Sequence, residues 1–258
     1  MGSVGPSAPI RLAILEADEP LPSVVERLGR FGAIFTSMFE AACKSQDPPQ
    51  TLGSQLTLTA HDVVSGDSTT AYPDPKEIDA VLVTGSRYSA YDDYDWVLRL
   101  TDFIRRLLLT DSHVRVIGVC FGHQIIARAL GATVAPSPWG WELSLTEIQL
   151  TETGKAVFGT GKLEVYQTHR DMVVEYPPTV MPLAQSRHCP TQAMYIPGRL
   201  FTVQGHPEFP QFMMAEMLRA HHQSGIILDG PFDDAMKRAL GQHDGIVIAQ
   251  AFLRFLKD

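Results

Sequence analysis

Seven residues, Gly118-Val119-Cys120-Phe121-Gly122-His123-Gln124, constrain this chain more than any others. They follow an apolar run of strand type, Val114-Arg115-Val116-Ile117. They lead into Ile125-Ile126-Ala127-Arg128-Ala129-Leu130, a helical pattern that stops at Gly131. A cysteine therefore sits on a tight turn between a buried strand and a helix. Glycines at 118 and 122 keep side chains out of the places where that turn is most crowded. This is the cysteine form of the G-x-S-x-G nucleophile elbow. The turn lifts the sulfur out of the sheet, and the N-terminus of the following helix favours a thiolate. The alternative, a buried inert cysteine, is common in proteins, but the glycine bracketing and the strand–helix context weigh against it.

The rest of the chain supplies the sheet that such a turn needs. Ile10 to Leu15, Leu56 to Val63, Ile78 to Val83 and Val114 to Val119 read as strands. Between them, Ser23 with Glu26 forms a capping box for one helix running to about Cys43, and Trp96 to Leu109 is amphipathic. Ser45 to Gly53 reads as a loose linker and Gly66 to Pro75 as a loop. Strands alternating with helices call for an α/β fold with a doubly wound, mostly parallel sheet. Past Gly131 the pattern shortens into segments such as Trp141–Leu150, Leu163–Thr168, Met181–Ser186 and Gln192–Ile196, expected as antiparallel additions. Leu200 to Gln204 reads as the last core strand, and helices are expected from Pro210 to Gln223 and from Gly245 to Leu256. Residues 1–9 read as a disordered Gly/Ser/Pro tail and residues 10–258 as one domain.

Composition narrows the function classes. A net charge of −8 leaves no basic stripe for a nucleic-acid backbone. No apolar run reaches the roughly 18–20 residues of a membrane span, and Met1 to Pro9 lacks the apolar core of a secretory signal. Three cysteines, Cys43, Cys120 and Cys189, without paired spacing, suit a reducing, cytoplasmic setting better than a disulfide framework. No C-x-x-C occurs, and no ligand spacing stands out among the nine histidines, so neither a metal nor a cofactor is expected. The adjacent His221 and His222 point to different helix faces, which suits surface positions.

A cysteine nucleophile needs a base, an orienter for the base and donors for an oxyanion. In sheets of this kind, sites gather at the carboxyl ends of strands. Thr84-Gly85-Ser86 and Cys120 both fall there, as does Gly205-His206-Pro207-Glu208 after the last core strand. His-x-Glu alone is a weak signal. Downstream of a cysteine elbow it supplies triad logic: His206 takes the thiol proton, and Glu208 holds the imidazole in the right tautomer.

Those three motifs, in that order and spacing, resemble the class I glutamine amidotransferases, over most of the chain from about Arg11 to Gln223. The resemblance implies a flavodoxin-like sheet. It implies Cys120 as nucleophile on the γ-carbonyl of a γ-glutamyl group, His206 as general base then acid, and Glu208 as its orienter. The Phe121 N–H and one from the Gly85-Ser86 turn would form the oxyanion hole, each donor worth ~3–4 kcal/mol. Gln124 would contact the glutamyl moiety. Gln167-Thr168-His169-Arg170-Asp171 matches a family segment near the substrate, which puts His169, Arg170 and Asp171 with Ser86 among the expected substrate contacts.

Two branches of that family differ in the leaving group. One releases ammonia from glutamine for a synthetase, which here would be a separate protein, since the fifty or so residues after the triad read as two helices. The other is a free-standing hydrolase of γ-glutamyl amides. The aromatic and Asp-rich loop Tyr88 to Trp96, the run Cys120 to Gly131 and Gly140-Trp141-Glu142-Leu143 are similar to γ-glutamyl peptidases that trim glutathione conjugates. Such a substrate needs a partly apolar pocket, for which Tyr88, Tyr91, Tyr94, Trp139 and Trp141 are candidates, although ordinary packing explains any one of them. Arg87 and Arg170 are either carboxylate binders or solvated. A non-catalytic binding protein on the same fold is a third reading, against which the intact Cys120, His206 and Glu208 stand.

Overall fold

The alternation of apolar residues along the first strands is what builds the two faces of the fold. The computed structural model describes residues 8–66, 71–111 and 113–258. Of the expected tail, all but Ala8 and Pro9 lies outside the described residues, as does part of the Gly66–Pro75 loop. In the first half, β1 (Ile10–Glu16) leads to α1 (Pro22–Leu28), α2 (Phe31–Lys44), the single turn α3 (Leu52–Gln55) and β2 (Leu56–Asp62). Then follow β3 (Ala80–Val83), α4 (Asp95–Leu109), β4 (Arg115–Val119) and α5 (Phe121–Ala129). The second half comprises β5 (Val134–Pro136), β6 (Glu142–Leu150), α6 (Glu152–Phe158), β7 (Lys162–His169), β8 (Asp171–Val173), β9 (Met181–Gln185), β10 (Ala193–Ile196) and β11 (Leu200–Val203). It closes with α7 (Gln211–Gln223), α8 (Asp229–Arg238) and α9 (Gly245–Phe255).

One 9-stranded sheet runs β2-β1-β3-β4-β11-β10-β9-β6-β7. From β2 to β11 every pairing is parallel, and from β11 to β7 every pairing is antiparallel. The chain is thus an α/β fold on a large, mostly parallel central sheet with antiparallel additions at one side. β5 and β8 pair separately as a small two-stranded sheet. Because successive residues of a strand point to opposite faces, Leu12 and Ile14 of β1 enter the core beneath α2 and α9, while Ala13 and Leu15 enter the core beneath α4 and α5. Both faces are covered, as parallel strands require.

Three expectations change. The helix from Ser23 to Cys43 is two helices, broken at Gly29, whose φ of 80° only glycine adopts without strain. The break lets Arg30 pair with Glu16, Glu19 and Asp62 at 3.0, 3.3 and 3.1 Å. Ser23 does not cap α1: Leu21 holds the N-cap position, and the Ser23 hydroxyl donates to Glu216 of α7 at 2.6 Å. The segment after β11 holds three helices where two were expected, and α6 forms between β6 and β7, its start capped by Thr151 Oγ1 accepting from the Gly154 N–H at 3.0 Å.

Candidate active site

The elbow at Cys120 is built by close backbone approaches that only glycine permits. A Cβ on Gly122 would lie 2.1 Å from the Val83 carbonyl oxygen, and one on Gly118 would lie 2.6 Å from the Gly122 carbonyl oxygen. The Gly122 N–H donates to Thr84 O at 3.1 Å, and the Cys120 N–H donates to Val203 O at 2.9 Å, so β3, β4 and β11 are sewn together around the turn. Cys120 itself has φ 53° and ψ −107°, a conformation that costs a non-glycine residue energy. The strain is held by the surrounding bonds and leaves Cys120 at the N-cap of α5.

His206 reaches the same place from the end of β11. It lies past the strand, which ends at Val203, and is fixed by a single bridge in which its N–H donates to Tyr166 O at 2.8 Å. A Cβ on Gly85 would sit 2.8 Å from His206 Cε1 and 3.6 Å from Cys120 Cβ, which brings the three expected motifs into contact. Nδ1 of His206 bonds Glu208 Oε1 at 2.8 Å, and the imidazole stacks on Phe209 with ring centroids 4.0 Å apart. Nε2 is buried and makes no hydrogen bond, which leaves it as the nitrogen available to the sulfur. Burial lowers the pKa of His206, but the charges of Glu208 and Cys120 outweigh it and raise the group to about 10. A positioned thiol, imidazole and carboxylate can perform acyl transfer.

A cavity of about 760 Å³ opens over this cluster. Gly85, Ser86, Cys120, Gln124 and His206 line it, and so do His169, Arg170 and Asp171. Phe121 and Glu208 are buried behind it. Phe121 is the first residue of α5, so its N–H is one of the donors a helix start leaves without an intrahelical partner.

Residues 51–220 match the family profile described as glutamine amidotransferase class-I. The chain belongs to that family. A glutamine amidotransferase-like protein of Schizosaccharomyces pombe is 30% identical over 245 residues, covering 95% of this chain and 98% of its own length. Gamma-glutamyl peptidase 3 of Arabidopsis thaliana is 26% identical over 261 residues, covering 91% of this chain and 99% of its own. The crystal structure of a glutamine amidotransferase from Thermotoga maritima shares the fold, with a TM-score of 0.71 at 16% identity over 98% of this chain and 100% of its own.

Around Cys120, His206 and Glu208, the polar wall is tightly tied. Gln124 Nε2 donates to Asp171 O at 2.8 Å and to Gln204 Oε1 at 3.0 Å. His169 faces two acceptors, the Asp171 carbonyl through Nδ1 and Glu142 Oε2 through Nε2, each at 3.0 Å. Burial alone would raise the pKa of Glu142, but the hydrogen bond and charge of His169 hold it below the usual carboxylate range. Asp171 accepts from Ser89 Oγ at 2.6 Å and from Arg170 Nε at 3.2 Å.

Several expected contacts fall differently. Arg87 is not free: its Nε donates to both Asp18 oxygens at 2.9 Å, and its Nη2 to Glu19 O at 2.8 Å. Of the aromatics, Tyr88 and Trp141 line the cavity; Tyr94 packs edge-on against Tyr88, Tyr91 accepts from Arg170, and Trp139 lies exposed elsewhere. His221 is half-buried rather than freely exposed. Its ring packs on Trp141 at 4.9 Å, its Nε2 lies 3.1 Å from Thr168 Oγ1, and it lines the cavity. His222 does face outward, toward Asp229 at 2.8 Å. The sequence reading missed the α7 wall, because Met213 and Met217 at helical spacing look like ordinary core.

Proposed function

We propose that this chain is a cysteine hydrolase that cleaves the γ-glutamyl amide bond of a glutathione-type conjugate. Cys120 Sγ attacks the γ-carbonyl carbon, and the carbonyl π electrons move onto oxygen, where the N–H groups of Phe121 and the Gly85-Ser86 turn meet the charge. Collapse of that intermediate breaks the C–N bond. His206 Nε2 gives its proton to the departing amine and leaves a γ-glutamyl thioester on Cys120. Water then attacks the thioester, His206 takes a proton from it, and glutamate and the free thiolate are released. Glu208 holds the imidazole through Nδ1 in both halves. Gln124, Ser86, His169, Arg170 and Asp171 line the cavity beside the sulfur and are assigned to the glutamyl moiety.

The observation that carries the substrate class is the cavity itself. About 760 Å³ around Cys120 is the size that holds a drug-sized ligand, in the range of roughly 300–1,000 Å³. A free glutamine would occupy only part of it. The similarity to a gamma-glutamyl peptidase along nearly its whole length supports the same reading. No described helix is long and apolar enough to cross a membrane, and the three cysteines are unpaired, which suits a cytoplasmic site of action. The deciding assay gives the purified protein γ-glutamyl-cysteinyl-glycine conjugates and glutamine in parallel. Glutamate release from the conjugates by the chain alone is expected. Ammonia release from glutamine that appears only beside a synthetase would overturn the reading in favour of a glutaminase subunit.

A further inference from the structure

The turn assigned to the oxyanion belongs to no regular element. β3 ends at Val83 and α4 begins at Asp95, so Gly85 and Ser86 sit on a connection whose shape is set from outside. Among the described residues, neither the Gly85 nor the Ser86 N–H donates to a protein acceptor. A free donor on a connecting segment helps a reaction only if it is held where charge will develop, because a preorganised donor needs no reorganisation at the moment of reaction. A displacement of about 1 Å in such a site can cost roughly 10²-fold in rate.

Two consecutive residues past the end of β1 grip this turn on both sides. Upstream, the Ala17 N–H donates to Thr84 Oγ1 at 3.0 Å, and that hydroxyl donates to the Gly85 carbonyl at 3.0 Å. Downstream, Asp18 takes over. Its Oδ2 accepts from the Arg87 backbone N–H at 2.7 Å, and both its oxygens accept from Arg87 Nε at 2.9 Å. Arg87 Nη2 completes the fork by donating to Glu19 O at 2.8 Å. Asp18 Oδ1 also accepts from the Glu19 N–H at 2.7 Å, which orients the carboxylate within its own loop.

The two halves of the Asp18–Arg87 contact differ in weight. The Arg87 side chain is 63% exposed and that of Asp18 only 12%. An ion pair with one partner in water contributes little by itself. The bond from the backbone N–H to a shielded carboxylate is charge-assisted and fixes the main chain directly. The rest of the connection has ties of its own. Ser89 Oγ donates to Asp171 Oδ2 at 2.6 Å, and Arg128 Nη1 donates to Ala90 O and Asp92 O, each at 2.8 Å. Without the Asp18 carboxylate, the span left loose runs from Gly85 to Arg87. Asp18 lines the cavity, but both its oxygens are engaged by Arg87.

We infer that Asp18 is a positioning residue for the oxyanion turn: by holding the Arg87 N–H it fixes the backbone donor of Gly85-Ser86 beside Cys120. The inference rests on the γ-glutamyl reading above and deepens it by naming the group that orients one half of the oxyanion hole.

The test measures kcat and KM for glutamate release from S-benzylglutathione by wild type, Asp18→Ala and Asp18→Asn. Beside it runs the rate at which iodoacetamide alkylates Cys120, followed by the mass of the Cys120 peptide. Alkylation displaces iodide from a saturated carbon and forms no oxyanion, so it reads the thiolate alone. In Asp18→Ala, kcat is expected to fall about 10–100-fold, short of the roughly 10²–10³ of losing a donor outright, with KM and the alkylation rate unchanged. Asp18→Asn keeps an oxygen for the Arg87 N–H and is expected to retain part of the lost rate. A wild-type kcat in Asp18→Ala overturns the inference. So does a loss confined to KM, which would make Asp18 a substrate-binding group, and so does a parallel fall in alkylation, which would place the damage at Cys120 and His206. Should Asp18→Ala not fold, Asp18→Asn decides, and a wild-type kcat there overturns the inference in the same way. No glutamate release by the wild type itself would overturn the γ-glutamyl reading and this inference with it, whereas an active wild type with an unaffected Asp18→Ala overturns the inference alone.

Discussion

His206 shows how a single side chain is committed by its surroundings. Its Nδ1 is occupied by Glu208, its face by Phe209, and its edge by the bare backbone of Gly85. Members of a triad act as a unit, so His206→Ala is expected to cost several orders of magnitude in kcat/KM with the fold retained. A loss of less than about tenfold in glutamate release would point to another base. The same surroundings set a pH dependence. The folded value of His206 stands near 10 against an ordinary 6.5, so its stabilising contribution is full below pH 6.5 and fades as pH rises toward 10. The gap in urea midpoint between wild type and His206→Gln should accordingly be constant below 6.5 and narrow above it. A gap that widens with pH would contradict the assignment. The meeting of Cys120, His206 and Glu208 was the most legible feature of the sequence, because each stands in a motif whose spacing expresses its position. The partners of Arg87 and the packing of His221 were not legible, since they depend on Asp18 and Trp141, neither of which is close in sequence.

At the scale of elements, the strand-to-helix turn at Cys120 rests on contacts with no slack. A methyl group at Gly122 would meet the Val83 carbonyl at 2.1 Å, so Gly122→Ala is expected to destabilise the fold by at least about 1–3 kcal/mol, measurable by urea unfolding. An unchanged midpoint would show that β3 and α5 can move apart. The start of β6 and the end of β7 are joined by the buried pair Glu142 and His169, with side-chain exposures of 6% and 3%. Removing one partner of such a pair typically costs ~3–5 kcal/mol, and Glu142→Ala should fall in that range. A loss well under 1 kcal/mol would mean that water replaces the carboxylate. Elements with a strong local signature, such as β4 and α5, were readable from the chain. The break at Gly29 was not, because a helical period continues across it and the reason for stopping is Arg30 reaching carboxylates on β1 and β2. α6 escaped notice because it is short and its cap, Thr151, lies between two strands.

Across the whole molecule, the parallel part of the sheet brings Gly85, Cys120 and His206 together past the ends of β3, β4 and β11, and the passage from β7 into β8 brings His169, Arg170 and Asp171 to the same cavity. α7 then closes the cavity from above the last core strand. Alternating strands and helices foretold the first arrangement. The second depends on how short strands after Gly131 pair, and their order β10-β9-β6-β7 cannot be read from local pattern alone. The central claim is that this cavity is a reaction chamber in which Cys120 is the acyl acceptor. The direct measurement is glutamate release from S-benzylglutathione by wild type and Cys120→Ala side by side, with circular dichroism and thermal midpoint as controls of folding. Turnover by the wild type and none by a fully folded Cys120→Ala is the predicted result. Wild-type-like turnover by Cys120→Ala would contradict it.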